Sequence, residues 1–404
     1  MTLEFRVLGG LGAARVGRLE TPHGLVETPA FFPVGTQATV KTLTPDELIA
    51  LGTQGILANT YHLFLRPGAD LIERLGGLHR FMGWPRTMMT DSGGYQAFSL
   101  GFALEHGVGK IAKMFPGAAE APTRPARKKL AKIDEQGVEF VSHLDGSLHR
   151  LTPEISIKVQ QQLGADLILA FDECTSPLSS KEYTRQAMER THRWALRCLD
   201  VWTSKNQGLY GIVQGGAYHD LRDDSARFSG SLPFFGLAIG GSLGRSKQDM
   251  HQVLEWTIPL LPENRPRHLL GIGEPEDLFE CVERGIDTFD CVAPTRLARH
   301  GSLYTADGRV NIKSARYRED TMPIETGCTC YACQRFSRAY LRHLFVAEEI
   351  LGYRLATLHN LHFILSLMAQ IRQSIVVGDF VALKRRFLDR YRAHAIESHC
   401  QATS

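Results

Sequence analysis

Three short apolar runs in this chain each end on an aspartate. They are Thr90-Asp91-Ser92-Gly93-Gly94-Tyr95-Gln96, Ala170-Phe171-Asp172-Glu173-Cys174, and the run from Gly285 through Asp290-Cys291-Val292-Ala293-Pro294-Thr295-Arg296. A carboxylate at the mouth of a buried strand can serve as nucleophile, acid or base. Gly93 and Gly94 let backbone approach a ligand, and Tyr95 offers a flat face for stacking. Gln214-Gly215-Gly216 and Gly240-Gly241 end two further runs and add an amide and bare backbone. Such a rim, polar but poor in cations, suits a planar heterocycle rich in hydrogen-bonding groups better than a phosphate. Asp290 is the candidate reacting group. Taken singly, each aspartate reads equally as a turn or helix cap. Their convergence on several strand ends is what argues for a site.

Cys328, Cys330 and Cys333 place three soft ligands on one tight loop. A closed tetrahedral site needs a fourth. His359, at the start of a helix, is the preferred partner, with His343 and His362 as rivals. Three thiolates and an imidazole suit one structural zinc per chain. The competing reading is three reduced, unligated cysteines. Eight cysteines in 404 residues do not form a disulfide framework, which points to a reducing compartment, the cytoplasm by default.

Something must position these groups, and the chain supplies a repeating pattern of apolar run, turn and helical segment. The runs are Ala30 to Gly35, Gly55 to Asn59, Thr87 to Thr90, Leu167 to Phe171, Leu209 to Val213, Gly236 to Ile239, His268 to Ile272 and Ile286 to Phe289. They end near Gln37, Asn59, Asp91, Asp172, Gln214, Gly241, Glu274 and Asp290. The pattern predicts an α/β fold, a (β/α)₈ TIM barrel, with the polar groups at the C-terminal ends of its strands. Helix starts at Thr44-Pro45-Asp46-Glu47 and Thr152-Pro153-Glu154 support it. Pro294 ends strand pairing, so the run through Asp290 should open into a Pro-Thr-Arg turn. Residues 101–136 form a basic, proline-broken insertion, followed by an extra hairpin over about 137–150. The expected division is a barrel over 1–303, a zinc-binding subdomain with closing helices over 304–395, and a tail over 396–404. A net charge of +3 is too small to imply a polyanion partner by itself, and no apolar run approaches the roughly 18 residues of a membrane span. Met1 to Gly17 lacks the apolar core of a signal peptide.

The aspartate motifs, Val213-Gln214-Gly215-Gly216 and the Cys328, Cys330, Cys333, His359 set occur together and in order. In this they resemble the tRNA-guanine transglycosylases, from about Phe5 to Ile375. That family is a zinc-containing TIM barrel that exchanges guanine at the tRNA wobble position for a 7-substituted 7-deazaguanine, on the route to queuosine. The resemblance implies that Asp290 is the nucleophile and Asp91 the general acid/base. It implies a base pocket of Asp91, Ser92, Gly93, Gly94, Tyr95, Asp172, Gln214, Gly241 and Leu270, with Leu270 where bacterial members often have Met. It implies RNA contacts from Gly271, Ile272, Gly273, Glu274, Pro275, Glu276 and Asp277, and from Thr295, Arg296, Leu297, Ala298 and Arg299. It places His359 at the fourth zinc-ligand position. It also implies a homodimer, tRNAs whose wobble guanine is flanked by uridines, and no redox or nucleotide cofactor.

This chain departs from the family at Gly240-Gly241-Ser242-Leu243-Gly244-Arg245, one residue shorter than usual. The incoming base is therefore 7-aminomethyl-7-deazaguanine or, alternatively, queuine. The basic insertion either touches tRNA phosphates or is a solvated loop. The competing functions are a non-catalytic tRNA-binding partner subunit and a metal-dependent hydrolase on the same barrel.

Overall fold

In the computed structural model, residues 3–97 and 131–400 are described, with side chains through residue 393. Its centre is an eight-stranded sheet in which every pairing is parallel. In sheet order the strands are Ala30–Pro33, Thr288–Cys291, Arg267–Leu269, Gly236–Ile239, Gly208–Val213, Leu167–Leu169, Thr87–Thr90 and Gly55–Ala58. A bridge between Val34 and Leu57, with the Gly35 amide donating to the Leu57 carbonyl at 2.7 Å, joins the last strand to the first. The sheet is thus a closed barrel, and all eight strands are those expected from the apolar runs.

Two buried clusters organise the interior. Phe32, Leu57, Met89, Leu169, Tyr210, Ile212 and Ala238 fill the barrel. A larger cluster lies between strands and helices and continues into the cysteine-bearing segment, where it includes Tyr304, Leu341, Leu361 and Ile364. The long helix Ile350–Val377 runs against the first barrel strand.

Local chemistry explains several boundaries. Thr44 and Glu47 form a capping box, as do Ser246 and Asp249. Thr152 caps the helix Pro153–Leu163, which Gly164 ends at φ 73°, a conformation glycine adopts without strain.

The structure corrects four expectations. Asp290 lies inside its strand, one residue before the end. The Pro-Thr-Arg stretch is not an open turn but the short helix Ala293–Arg299, where Pro294 occupies a first-turn position that needs no amide donor. His359 sits well inside the helix Ile350–Val377, not at its start. The expected hairpin, Val138–Val141 with Leu148–Leu151, gains a third strand, Ala131–Ile133, so the insertion ends earlier than residue 136. Lys132 belongs to that third strand. Lys110, Lys113, Arg124, Arg127, Lys128 and Lys129 lie outside the described residues.

The sequence pattern gave no element before Ala30. The structure has a three-stranded antiparallel sheet there, Glu4–Leu11, Ala14–Thr21 and Gly24–Thr28. Phe5, Leu19 and Val26 join the cluster inside the barrel and close its N-terminal end. One ion pair fastens this cover. Arg15 donates to both oxygens of Asp287, at 2.8 and 2.5 Å, and to the Glu263 and Arg265 carbonyls. Asp287 is fully buried and also accepts the Arg267 amide at 2.7 Å. Burial pushes its carboxyl upward, against the pull of Arg15. Arg15→Ala would strand a buried carboxylate, and chemical denaturation should show a loss of roughly 3–5 kcal/mol.

Candidate active site and metal centre

A cavity of about 1600 Å³ opens at the C-terminal end of the barrel. Asn59, Asp91, Asp172, Gly241, Glu274 and Asp290 line it, each from a different strand end. Gln37 does not. Gln214 stands just behind the wall: a Cβ added to Gly241 would meet its Oε1 at 2.1 Å. Gly241 has φ 73°, so both conformation and space demand glycine there.

Asp91 is held by four donors. Asn59 Nδ2 and Gln96 Nε2 donate to Oδ2, and the Thr60 and Gly93 amides donate to Oδ1, at 2.8 and 3.2 Å. Burial nevertheless raises its carboxyl above the usual range, and the charge of Asp290 adds to the rise. Asp290 is oriented differently. Gly271 donates its amide to Oδ1 at 2.9 Å, and His268 Nε2 lies 3.1 Å from the same oxygen. A carboxylate only accepts, so His268 carries its proton on Nε2. Its Nδ1 then accepts from the Thr288 hydroxyl at 2.9 Å. His268 and Thr288 are fully buried beneath Asp290. Two carboxylates in one cavity are thus set apart: one pushed toward its protonated form, the other aimed by a buried imidazole.

Hydrogen bonds link the remaining polar groups of the rim. Asp172 accepts from Ser92 Oγ at 3.1 Å and from Gln214 Nε2 at 2.6 Å. Gln214 Oε1 is buried with no hydrogen-bond partner among the described residues, an acceptor available beside Gly241. Gly93 turns at φ 78°, which returns the Gly94 amide to Ser92 Oγ at 3.2 Å. Tyr95 and Leu270 both line the cavity.

The two segments expected to meet RNA are partly internal. Ile272, Asp277, Thr295 and Ala298 are buried, as are Gly273 and Pro275. They shape the rim and cannot present side chains outward. Arg296 is exposed, while Gly271, Glu274, Glu276, Leu297 and Arg299 are half-buried. Asp277 pairs with Lys247 at 2.8 Å, yet burial still lifts its carboxyl to about 6.

Sequence reading missed Gln96, His268 and Arg222, and assigned Asn59 no role. Asn59 could have been found, since it ends a barrel strand. His268 and Arg222 carry no signal in a single sequence, because a strand histidine and a helix arginine read as ordinary.

The cysteine group is compact. Cys328, Cys330 and Cys333 Sγ lie 3.9, 3.5 and 3.4 Å from His359 Nδ1. In a tetrahedral zinc site with bonds of about 2.3 Å to sulfur and 2.05 Å to nitrogen, the N–S edge is ~3.6 Å. His359 Nε2 lies 2.6 Å from the Tyr304 carbonyl, so Nε2 donates and Nδ1 keeps its lone pair for a metal ion. The four residues fit a metal ion. The rivals do not join them: His362 Nε2 meets Thr329 Oγ1 at 3.2 Å, and His343 is exposed on another helix. A second group, His23, His79 and Asp166, lies at the opposite end of the barrel. Its imidazoles stack at 3.5 Å, so their lone pairs lie in parallel planes that suit hydrogen bonds to Asp166 rather than one shared ion. Cys330→Ser should remove bound metal by elemental analysis and lower Tm by more than ~5 °C, because metal binding at such a site is folding free energy.

No helix among the described residues is long and apolar enough to cross a membrane. A family model described as queuine tRNA-ribosyltransferase matches residues 11–393. A putative queuine tRNA-ribosyltransferase of Archaeoglobus fulgidus is 53% identical over 402 residues, covering 96% of this chain and all of the relative. Queuine tRNA-ribosyltransferases of Herpetosiphon aurantiacus and Symbiobacterium thermophilum are 52% and 50% identical, each covering at least 95% of this chain and 90% of the relative. With matches of this extent, the chain belongs to the queuine tRNA-ribosyltransferase family.

Proposed function

We propose that this protein is a tRNA-guanine transglycosylase that exchanges the wobble guanine of tRNA for a 7-substituted 7-deazaguanine. The observation that carries the reading is the differentiated pair Asp91 and Asp290 in one cavity, within a chain of this family. Asp290 attacks C1′ of the ribose as the bond to guanine breaks, and a covalent sugar ester results. His268 and Gly271 hold the attacking carboxylate in line. Asp91, raised toward its acid form, delivers a proton to the departing guanine and takes one from the incoming base. The incoming base then displaces Asp290 from C1′, with the same two-step logic as retaining glycosidases but with a base in place of water.

Asp172, the Gly241 backbone and Gln214 read the edge of the base, and Tyr95 and Leu270 cover its faces. The target nucleotide is turned out of the anticodon loop to reach so enclosed a site. Exposed Arg296 and its neighbours Leu297 and Arg299 meet the flanking nucleotides. Cys328, Cys330, Cys333 and His359 would hold a zinc ion, whose contribution would be structural, pinning the loop to the long helix. Residues 1–303 are the catalytic barrel and 304–395 the zinc-bearing part. Exposed Tyr331, Val346 and Ile350 on that part support a homodimer, for which light scattering should give twice the chain mass. The setting is cytoplasmic, where thiolates stay reduced.

The test is base exchange. The parent enzyme should load labelled guanine into tRNA, and Asp290→Asn should lose at least about 10³-fold of that rate. Chasing with 7-aminomethyl-7-deazaguanine, the first expectation, or with queuine identifies the incoming base. If no label enters tRNA, a non-catalytic RNA-binding subunit becomes the better account, although the intact carboxylate pair speaks against it.

A second prediction concerns pH. Asn59 donates to the ionised form of Asp91 and so pulls its pKa down against burial. Asn59→Leu removes that pull, so Asp91 should titrate at higher pH. In a pH profile of kcat/KM, the limb reporting Asp91 should move upward. An unmoved limb would assign it to another group.

A further inference from the structure

We infer that Arg222 is a positioning residue for the base pocket, which it organises by holding the carbonyls on either side of Gln214 and Gly241. This rests on the base-exchange reading above and adds to it a residue that touches neither base nor ribose.

Arg222 lies on the helix His219–Ser231 and is completely buried. Its guanidinium turns to backbone rather than to a carboxylate. Nε donates to the Gly216 carbonyl at 2.7 Å, and Nη1 to the Val213 carbonyl at 2.8 Å. Nη2 donates to the Gly240 and Ser242 carbonyls at 3.0 and 2.9 Å. These four acceptors bracket the two recognition positions, one pair about Gln214 and the other about Gly241. One planar, rigid cation thereby ties two neighbouring strand ends to each other.

The consequence for Gly241 follows from the peptide unit. In a trans peptide, C=O and N–H point in opposite directions. Because the Gly240 carbonyl points at Arg222, the Gly241 amide points away from it. Gly241 lines the cavity, so its amide is aimed as a donor toward a base there. A guanine-type carbonyl oxygen is the matching acceptor. The rest of the loop is braced as well. Ser242 Oγ accepts the Gly244 amide at 3.2 Å, and Asp249 accepts the Arg245 and Ser246 amides at 2.7 and 3.1 Å. The shortened loop is therefore set before the base arrives, and preorganised donors bind without an ordering cost.

The experiment compares the parent with Arg222→Lys and Arg222→Gln in tRNA base exchange. Inhibition constants are measured for guanine and for 2-aminopurine, which lacks the carbonyl oxygen. The parent should prefer guanine at least tenfold. In the variants the KM for guanine should rise at least tenfold, the preference should collapse toward unity, and the KM for tRNA should stay within twofold. Lysine, which reaches fewer carbonyls, should retain more of the preference than glutamine. A lowered Tm with the preference intact, or equal losses for both bases, would reduce Arg222 to a fold-stabilising residue and overturn the inference. If neither variant folds, amide hydrogen exchange on the parent decides. The amides of Gly240 and Gly244, which donate to the Val213 carbonyl and to Ser242 Oγ, should be protected without base and change less than twofold when guanine is added. Protection that arises only with guanine overturns the inference. Failure of the parent to exchange guanine is a separate result and refutes the base-exchange reading itself.

Discussion

Everything in this molecule depends on closing a parallel sheet. Between Gly55–Ala58 and Ala30–Pro33 the closure is thin, a single bridge from Val34 to Leu57 and the Gly35 amide on the Leu57 carbonyl. Closure brings eight strand ends to one rim. Residues as distant in sequence as Asn59, Asp172 and Asp290 then face one cavity. Parallel strands also leave all their C-terminal ends on the same side, so strand-end polar groups accumulate there. The other end is sealed by the N-terminal antiparallel sheet, with Phe5, Leu19 and Val26 inserted and Arg15 paired to Asp287.

The polar rim costs desolvation, and the structure offsets it with donors rather than counter-ions. Among the described residues Asp91 has four donors, from Asn59, Gln96 and two backbone amides, and no arginine or lysine is one of them. That environment leaves its carboxyl raised, where a nearby cation would have locked it ionised. Asp290 takes the opposite arrangement, with His268 and Gly271 converging on one oxygen. The buried arginine of the region, Arg222, is kept behind the wall and spends its donors on carbonyls. Burial draws its pKa down to about 9, yet it stays charged at neutral pH and so retains its hold.

The metal group follows the same logic of distant parts fixed by local chemistry. The tight loop brings three sulfurs together within six residues, a placement readable in the spacing. The fourth candidate ligand, His359, comes from inside a long helix and is aimed by the Tyr304 carbonyl. Because that helix also runs against the first barrel strand, the candidate metal centre and the barrel share one buried cluster.

The sequence by itself determined the period of the fold and which groups are candidates to react. Apolar runs of strand length, glycine turns and capping residues are local signals, so all eight strands and the helix starts at Thr44 and Thr152 were legible. Asp91, Asp172 and Asp290 were legible for the same reason, as polar residues closing apolar runs. Tertiary structure alone decided how each behaves. His268 and Thr288 beneath Asp290, and Arg222 behind Gly241, act across strands, and no spacing within one segment encodes such a partner. It also decided which residues of the two segments expected to meet RNA are exposed. A helix such as Ala293–Arg299 buries Thr295 and Ala298 while exposing Arg296, and that division depends on what packs beneath it. Which groups carry charge can be read in a sequence. The pKa and aim of each are set by burial and by neighbours that only the closed barrel brings together.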